Sequence, residues 1–205
     1  MRYIFGVLLA LALAMPAIAD TSVKQMVSRE KRALGAIPSA ELDALMQRPT
    51  GAGGVSYSAG WIASQPKASG GAQWACLAEA LYFEARGESV KGQFAVAEVI
   101  LNRVDSKYFP NSVCGVVKQG TGRKYACQFT YTCDGHKDVI REKAAYARVG
   151  KVAKLMLEGA PRQLTKGATY YHTKAVSPKW SRKFQRTATI GVHHFYRRPT
   201  QLSQN

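Results

Sequence analysis

Apolar positions recur at helical spacing just before Gly87. The stripe has four members, Leu77, Ala80, Leu81 and Glu84. Glycine often follows the last turn of a helix, so the pattern predicts a helix over residues 74–86 that ends close to Glu84. The Glu84 carboxylate therefore occupies a position at which the spacing predicts an apolar core residue.

Two more helices are predicted further along the chain. Ser89 is a favourable N-cap, and apolar residues follow it at steps of three or four until the break at Pro110. A third apolar stripe predicts a helix over residues 139–158, which Gly159 would end. A short helix is also predicted for residues 39–48. Only a tight turn separates the first two long helices, so Glu84 should be rigidly held.

Two later segments have the composition of β-strands. Residues 168–172 are one, and residues 187–196 are the other, with apolar and polar positions alternating through Ile190, Val192, His194 and Tyr196. They predict a small hairpin-like sheet. The expected fold class is α+β, mainly α-helical with a small β-sheet.

The first 19 residues have the pattern of a secretory signal peptide. Arg2 precedes an apolar run over residues 4–15, and small residues before Asp20 form a cleavage site. The run is too short for a membrane span, so we favour a cleaved signal peptide over an uncleaved anchor and expect a periplasmic or extracellular protein. Residues 20–72, which are rich in glycine, predict a flexible N-terminal segment, followed by a compact unit over residues 73–198 and a tail over residues 199–205.

The four cysteines fit an exported protein. They are Cys76, Cys114, Cys127 and Cys133. An even set in an oxidising compartment predicts two disulfides, and four cysteines allow three pairings. Cys127 and Cys133 flank a short aromatic loop, so we favour their pairing and that of Cys76 with Cys114. Zinc binding through these residues is disfavoured because the chain has no C-x-x-C motif.

The chain is strongly basic. It has 29 Lys and Arg against 13 Asp and Glu, a formal charge of +16, and removal of residues 1–19 would take away only Arg2 and leave +15. Such an excess favours a polyanionic partner, although a solvated basic face is the alternative. An exported protein meets anionic envelope surfaces before nucleic acid, so we expect the former as partner and no nucleic acid.

Glu84 is the candidate for acid–base chemistry. Desolvation and the negative end of the helix dipole would both raise its pKa. A glutamate that keeps its proton near neutral pH suits a general acid for glycosidic cleavage. The structural alternative is a buried salt bridge with Arg86 or Arg103.

Several unlinked motifs point to one family. They are residues 77–88 (LAEALYFEARGE), 92–97 (GQFAVA), 100–104 (ILNRV), 109–117 (FPNSVCGVV), 127–129 (CQF), 133–135 (CDG), 170–173 (YYHT) and 176–180 (VSPKW). In this order they closely resemble the SleB-type cell-wall hydrolases, the family of the spore cortex-lytic enzymes. The resemblance covers nearly all of residues 74–197.

The resemblance implies a lysozyme-like catalytic domain that acts on peptidoglycan glycan strands. Members cleave the bond between N-acetylmuramic acid and N-acetylglucosamine, usually as lytic transglycosylases, and the catalytic residue is the first glutamate of E-A-R-G-E, here Glu84. The carboxyl group would protonate the leaving oxygen and then deprotonate the C6 hydroxyl of the muramoyl sugar. Attack by water would make the protein a muramidase. We expect a monomer without a metal or other cofactor.

Five residues are candidates for substrate binding. They are Gln128, Phe129, Tyr171, His172 and Trp180. Gln128 would bind an acetamido group, and the rings would stack on sugars. The alternative is that Phe129 and Trp180 belong to the core and that Tyr171 lies on a strand face.

Two other function classes stay open. His172, His193 and His194, with His136, suggest a zinc amidase, but adjacent residues on a strand point to opposite faces and no H-E-x-x-H motif occurs. Charge and aromatic residues also fit a wall-binding module without catalysis. Replacement of Glu84 by Gln would separate a binding module from an enzyme.

Overall fold

The computed structural model describes residues 19–36, 54–123 and 126–199. The chain divides into two units, residues 1–54 and 55–205. The predicted signal peptide up to residue 18, the helix predicted over 39–48 and the C-terminal tail from residue 200 lie outside the described residues. Within the described ranges, no helix is long and apolar enough to cross a membrane.

The first unit contains a helix that the sequence pattern did not predict. Helix α1 spans Ala19–Gly35. Its interior has no proline or glycine and is rich in Lys, Arg, Gln and Glu, which are good helix formers. Val23, Met26 and Val27 are exposed along it. The sequence predicted a flexible N-terminal segment here without this helix, and the flexibility of the segment stays a prediction.

The second unit has five α-helices among the described residues. They are α2 (Ala59–Ser64), α3 (Ala72–Ala85), α4 (Val90–Val104), α5 (Val113–Val117) and α6 (Lys143–Leu157). Two short 3-10 turns are also present: Thr130–Cys133 lies between α5 and α6, and Lys179–Arg182 lies between the first two strands of the sheet. Helices α3 and α4 match the prediction, and the Ser89 side chain caps α4 by accepting a hydrogen bond from the Gly92 N–H at 3.2 Å.

Helix α6 begins later than predicted, at Lys143 instead of Val139. The Tyr82 hydroxyl explains the difference, because it accepts hydrogen bonds from the backbone N–H groups of Arg141 and Glu142 at 3.1 and 3.0 Å. A side chain of α3 thus satisfies these donors just before the helix starts.

The second unit also begins earlier than the residue 73 expected from the sequence. Ser58 caps α2 by accepting a hydrogen bond from the Trp61 N–H. Ile62 is 1% exposed, and the Tyr57 ring packs edge-on against Phe94 with centroids 5.2 Å apart. Residues from Val55 onward therefore contribute to the core and cover α4.

The hydrophobic core lies between α3, α4 and α6. The α3–α4 turn brings the two helices side by side, and α6 packs on both. Trp74 fixes the start of α3 to α6 by donating its indole N–H to the Gly150 carbonyl at 2.9 Å. A Cβ at position 150 would lie 3.1 Å from the Trp74 ring, so glycine permits this approach. The buried helices hold the end of α3, with Glu84, in a fixed place.

A three-stranded antiparallel sheet completes the unit. Strands β1 (Tyr170–Thr173), β2 (Gln185–Ile190) and β3 (His193–Arg197) lie in the order β1-β3-β2. The prediction of one strand over residues 187–196 is wrong, because Gly191, with φ of +59°, turns the chain between β2 and β3. The mainly helical α+β class is confirmed.

The two faces of the sheet have different neighbours. Tyr171, His193 and Phe195 share the face that meets the helices, and Phe195 is fully buried. The other face carries Tyr170, His172, His194 and Tyr196, with Trp180 packed over Tyr170, His172 and Tyr196. This division decides which of the predicted residues approach Glu84.

Both preferred disulfide pairings are present. Cys76 pairs with Cys114 and joins α3 to α5, while Cys127 pairs with Cys133 across the loop that contains Gln128 and Phe129. The prediction from the short aromatic loop is confirmed.

Candidate active site

Glu84 lies in the last turn of α3, where the helix meets β1. It is half-buried, and its Oε2 accepts a hydrogen bond from the Tyr171 hydroxyl at 3.1 Å. Glu84 and Tyr171 are 87 positions apart in the sequence, and they meet because the sheet packs against the ends of α3 and α4. The carboxyl group is held by a defined donor while part of its surface stays open.

The electrostatic environment of Glu84 combines opposing effects. Burial raises its pKa, while the hydrogen bond from Tyr171 and the positive charge of Arg103 lower it by a smaller amount. The direction agrees with the sequence prediction, and burial is the main cause. A carboxyl group in this setting gives up its proton less readily than an exposed glutamate, while its anion still has two favourable neighbours.

The salt-bridge alternative does not describe Glu84. Arg86 points elsewhere and pairs with Glu142 at 2.7 Å. Among the ion pairs that the described residues form within 4.0 Å, none involves Glu84.

Arg103 is a site residue that the sequence analysis considered only as a salt-bridge partner. It lies on α4, is 2% exposed, and donates from Nε to the Thr169 carbonyl at 2.7 Å. Its guanidinium lies 5.8 Å from the centre of the Tyr171 ring. Burial lowers its pKa, and Tyr171 and Glu84 oppose this effect. Arg103 follows apolar residues at helical spacing, as Glu84 does, so the same break in an apolar stripe could have identified it from the sequence.

Gln128 lies close to Arg103. In the orientation that satisfies its neighbours, its amide oxygen accepts hydrogen bonds from both terminal nitrogens of Arg103 at 3.3 Å. The amide N–H₂ group then points away from the arginine. The disulfide between Cys127 and Cys133 restrains this loop, and the Gln128 backbone N–H donates to the Gln119 carbonyl at 2.8 Å.

The structure separates the other predicted binding residues. Phe129 is 2% exposed and packs near Arg103, so it lies in the core beneath the site, as the structural alternative for this residue expects. His172 and Trp180 lie on the sheet face opposite Tyr171, where the His172 ring stacks on Tyr196 with centroids 5.1 Å apart. Of the predicted aromatic residues, Tyr171 is the one that contacts Glu84.

A cleft borders the last two turns of α3, beside Glu84, which does not itself line it. It has a volume of about 270 Å³, and Phe83 and Tyr131, with stacked rings 4.4 Å apart, form part of its wall. Burial raises the pKa of Tyr131, and the negative charge of Glu84 adds to the effect. Tyr131 was missed because a lone aromatic residue in an irregular loop has no periodic signal.

The histidines are divided among three places. His193 and His194 are on opposite faces of β3, as predicted for adjacent strand residues, and His136 is exposed in the loop before α6. In the part of the chain that the structure describes, no three His, Cys, Asp or Glu side chains are grouped so that they could hold a metal ion.

The family follows from comparison with known sequences. The sequence model of the cell wall hydrolase family matches residues 87–196, more than half of the chain. The chain belongs to this family. The resemblance stated from the sequence motifs is thereby confirmed. Glu84 lies just before the matched residues, so its assignment rests on the geometry above and on the E-A-R-G-E motif.

Relatives with the description spore cortex-lytic enzyme are similar to parts of the chain. That of Bacillus subtilis (strain 168) is 63% identical over 41 residues, which are 20% of this chain and 13% of the relative. That of Halalkalibacterium halodurans is 36% identical over 122 residues, which are 58% of this chain and 33% of the relative. The chain spans less than half the length of these relatives.

Two solved structures are also similar. The catalytic domain of the germination-specific lytic transglycosylase SleB from Bacillus anthracis is 31% identical, with a TM-score of 0.49, and the match covers 65% of this chain and all of that domain. The catalytic domain of the Bacillus cereus SleB protein is 34% identical, with a TM-score of 0.47, and the match covers 63% of this chain and 94% of that domain.

Proposed function

We propose that this cell wall hydrolase family member cleaves the glycan strand of peptidoglycan between N-acetylmuramic acid and N-acetylglucosamine, as a lytic transglycosylase with Glu84 as its acid and base. The observation that carries the proposal is the half-buried Glu84 carboxyl group, which has a raised pKa and accepts a hydrogen bond from Tyr171. Membership of the cell wall hydrolase family supports the substrate class.

In the first step, Glu84 acts as the general acid. Its raised pKa increases the fraction that carries a proton near neutral pH. The proton passes to the glycosidic oxygen as the bond from that oxygen to C1 of the muramoyl sugar breaks. The oxygen leaves as the 4-hydroxyl of N-acetylglucosamine, and positive charge develops at C1.

In the second step, the Glu84 carboxylate acts as the base. Tyr171 and Arg103 both favour this anion, by a hydrogen bond and by positive charge. The carboxylate takes the proton of the C6 hydroxyl of the muramoyl sugar, and O6 bonds to C1. A 1,6-anhydro end results without consumption of water, and Glu84 is protonated again. One carboxyl group therefore serves both steps.

Gln128 and Tyr171 are the proposed substrate contacts nearest to Glu84. Arg103 engages the amide oxygen of Gln128, which leaves the N–H₂ group to donate to the carbonyl of an acetamido substituent. Any contact of His172 or Trp180 with the glycan would occur across the sheet, away from the reacting bond. These two residues are proposed only as an outer wall.

We propose that the protein is exported and acts in the envelope as a monomer. The pattern of residues 1–19 and the two disulfides support export. Net charge supports association with anionic wall polymer.

Mass spectrometry of muropeptides released from purified sacculi tests the reaction. Muropeptides that end in 1,6-anhydromuramic acid are the expected product. Reducing muramic acid ends would show a muramidase, and amide-cleaved peptides lost on chelation would show the zinc amidase. Binding to sacculi without any released product would show a wall-binding module.

A further inference from the structure

Glu88 and His193 form a buried contact that the two steps above do not use. Their side chains are 8% and 5% exposed, and Glu88 Oε1 lies 3.1 Å from His193 Nδ1. The Val192 backbone N–H also donates to Glu88 Oε1 at 3.4 Å. The contact joins the α3–α4 turn to β3 at the face of the sheet that meets the helices.

Two glycines make room for the Glu88 carboxylate. A Cβ at Gly92 would lie 2.8 Å from Glu88 Oε2, and a Cβ at Gly191 would overlap the same oxygen. Gly191 also has φ of +59°, which side chains rarely allow. The start of α4 and the β2–β3 turn thus both have a residue that accommodates this carboxylate.

His193 connects the carboxylate to the candidate catalytic site. Its ring meets the Tyr171 ring edge-on, with centroids 5.2 Å apart and an interplanar angle of 84°. The Tyr171 hydroxyl donates to Glu84 Oε2. Contacts therefore run without a gap from Glu88 through His193 and Tyr171 to Glu84.

We propose that Glu88 and His193 are positioning residues, which hold the Tyr171 ring so that its hydroxyl reaches the Glu84 carboxyl group. This inference rests on the proposed function, because it gives the buried pair a role in the same reaction. Glu88 lies against His193, and His193 lies against one edge of the Tyr171 ring. Arg103, on α4, lies near the same ring. The second glutamate of E-A-R-G-E therefore acts through tyrosine, whereas the first reacts.

The charged and titratable neighbours of these groups are few among the described residues. His193 faces Glu88 from the α3–α4 turn and Tyr171 from β1, and β2 places Ile190 opposite it. His172 affects His193 only through its charge, from the other face of the sheet. Burial lowers the pKa of His193, and Glu88 opposes this effect. Glu84 interacts with Tyr171 and Arg103, and its negative charge contributes to the raised pKa of Tyr131.

The direct test is the titration of Glu84, followed by ¹³C NMR of its carboxyl carbon and assigned with Glu84→Gln. Loss of the tyrosine hydrogen bond in Tyr171→Phe should raise the Glu84 pKa, because that bond favours the anion. His193→Gln should also raise the Glu84 pKa, because the Tyr171 hydroxyl would no longer be held against the carboxyl group. Adding His193→Gln to Tyr171→Phe should not raise the Glu84 pKa further, because the two changes act on the same hydrogen bond, from the Tyr171 hydroxyl to Glu84.

The neighbouring histidine provides a matched control. His194 lies on the opposite face of β3 and contacts Thr189, so His194→Gln should leave the Glu84 titration unchanged. An unchanged titration in folded His193→Gln would overturn the proposal, as would shifts that add in the double variant. If His193→Gln does not fold, Glu88→Gln takes its place with the same expectations.

Kinetics give a second readout. His193→Gln should lower kcat by about tenfold, the cost of one hydrogen bond to a charged group, with little change in KM. The alkaline limb of the pH profile should move to higher pH, as in Tyr171→Phe. A purely structural role would lower Tm and leave that limb in place. The NMR titration needs no turnover and tests the positioning of Tyr171 by itself. Product analysis tests the reaction, so a different product from the wild-type protein would refute the proposed function and not this inference.

Discussion

At the scale of single residues, the site depends on one carboxyl group under opposing effects. Burial favours the protonated form of Glu84, and Tyr171 and Arg103 favour the anion. A group that must give and then take a proton needs both forms to be accessible. Glu79, five residues earlier on α3, also has a pKa raised by burial, but it interacts with Asp138 and Lys118. Burial alone therefore does not distinguish the two; the contact with Tyr171 does.

Replacement of Glu84 by Gln should nearly abolish turnover. The amide keeps the size of the side chain but has no proton to give to the leaving oxygen, so we expect kcat to fall by about two to four orders of magnitude. Muropeptide release from sacculi measures the effect, and sacculus binding should persist. Glu79→Gln is the matched control, and Glu88→Gln should cost far less than Glu84→Gln. Unimpaired glycan cleavage by Glu84→Gln would refute its assignment as the acid.

The same replacement should change stability with pH. The folded protein raises the pKa of Glu84, so the favourable contribution of this group is fully present below its unfolded pKa and is lost as pH rises through its folded pKa. Glu84→Gln cannot ionise, so its Tm should exceed that of the wild type at about pH 8, and the gain should shrink towards about pH 4. Calorimetry across this range measures it. A gain confined to low pH would contradict the raised pKa.

At the scale of secondary structure elements, the spacing of apolar residues along the sequence predicted the two long buried helices, α3 and α4. Helix α4 buries nearly every residue from Val90 to Ile100, more than the stripe that the spacing predicted, and its start carries a recognisable cap residue, Ser89. The β2–β3 hairpin was missed because the two strands and their turn continue one alternating pattern through Val192, which is 52% exposed. Only the backbone conformation of Gly191 reveals the turn. The start of α6 depends on Tyr82, a residue from another helix.

The two disulfides should contribute unequally to stability. Cys76 and Cys114 are 38 residues apart and tie α3 to α5, whereas Cys127 and Cys133 are 6 apart. Loop-closure entropy predicts about 4 kcal/mol for the longer loop and about 2 kcal/mol for the shorter one. The pair Cys76→Ala and Cys114→Ala should therefore lower the free energy of unfolding more than Cys127→Ala with Cys133→Ala. Urea unfolding measures both, and equal or reversed losses would contradict this ranking.

At the scale of the whole molecule, the sequence predicted the class of fold better than the surroundings of the candidate acid, Glu84. Glu84 was found because a carboxylate broke an apolar stripe. Its partners come from β1 and α4, and their meeting depends on tertiary packing between distant segments. Local spacing does not encode that Tyr171 faces the helices while His172, the next residue, faces Trp180. The packing of one face of the sheet against the helices decides it.

The net charge of the protein should govern its binding to the cell wall. The charge of +15 that remains without residues 1–19 arises mostly from exposed side chains, whose attraction to the carboxylates of the cell wall is screened within a Debye length of about 10 Å at 0.1 M salt. Binding of Glu84→Gln to sacculi should therefore weaken steadily as salt rises, with no turnover to complicate the measurement. Sacculi with esterified carboxyl groups are the control and should bind weakly at low salt. Equal binding at low and high salt would instead indicate recognition of the sugars alone, through residues such as Gln128 and Tyr171.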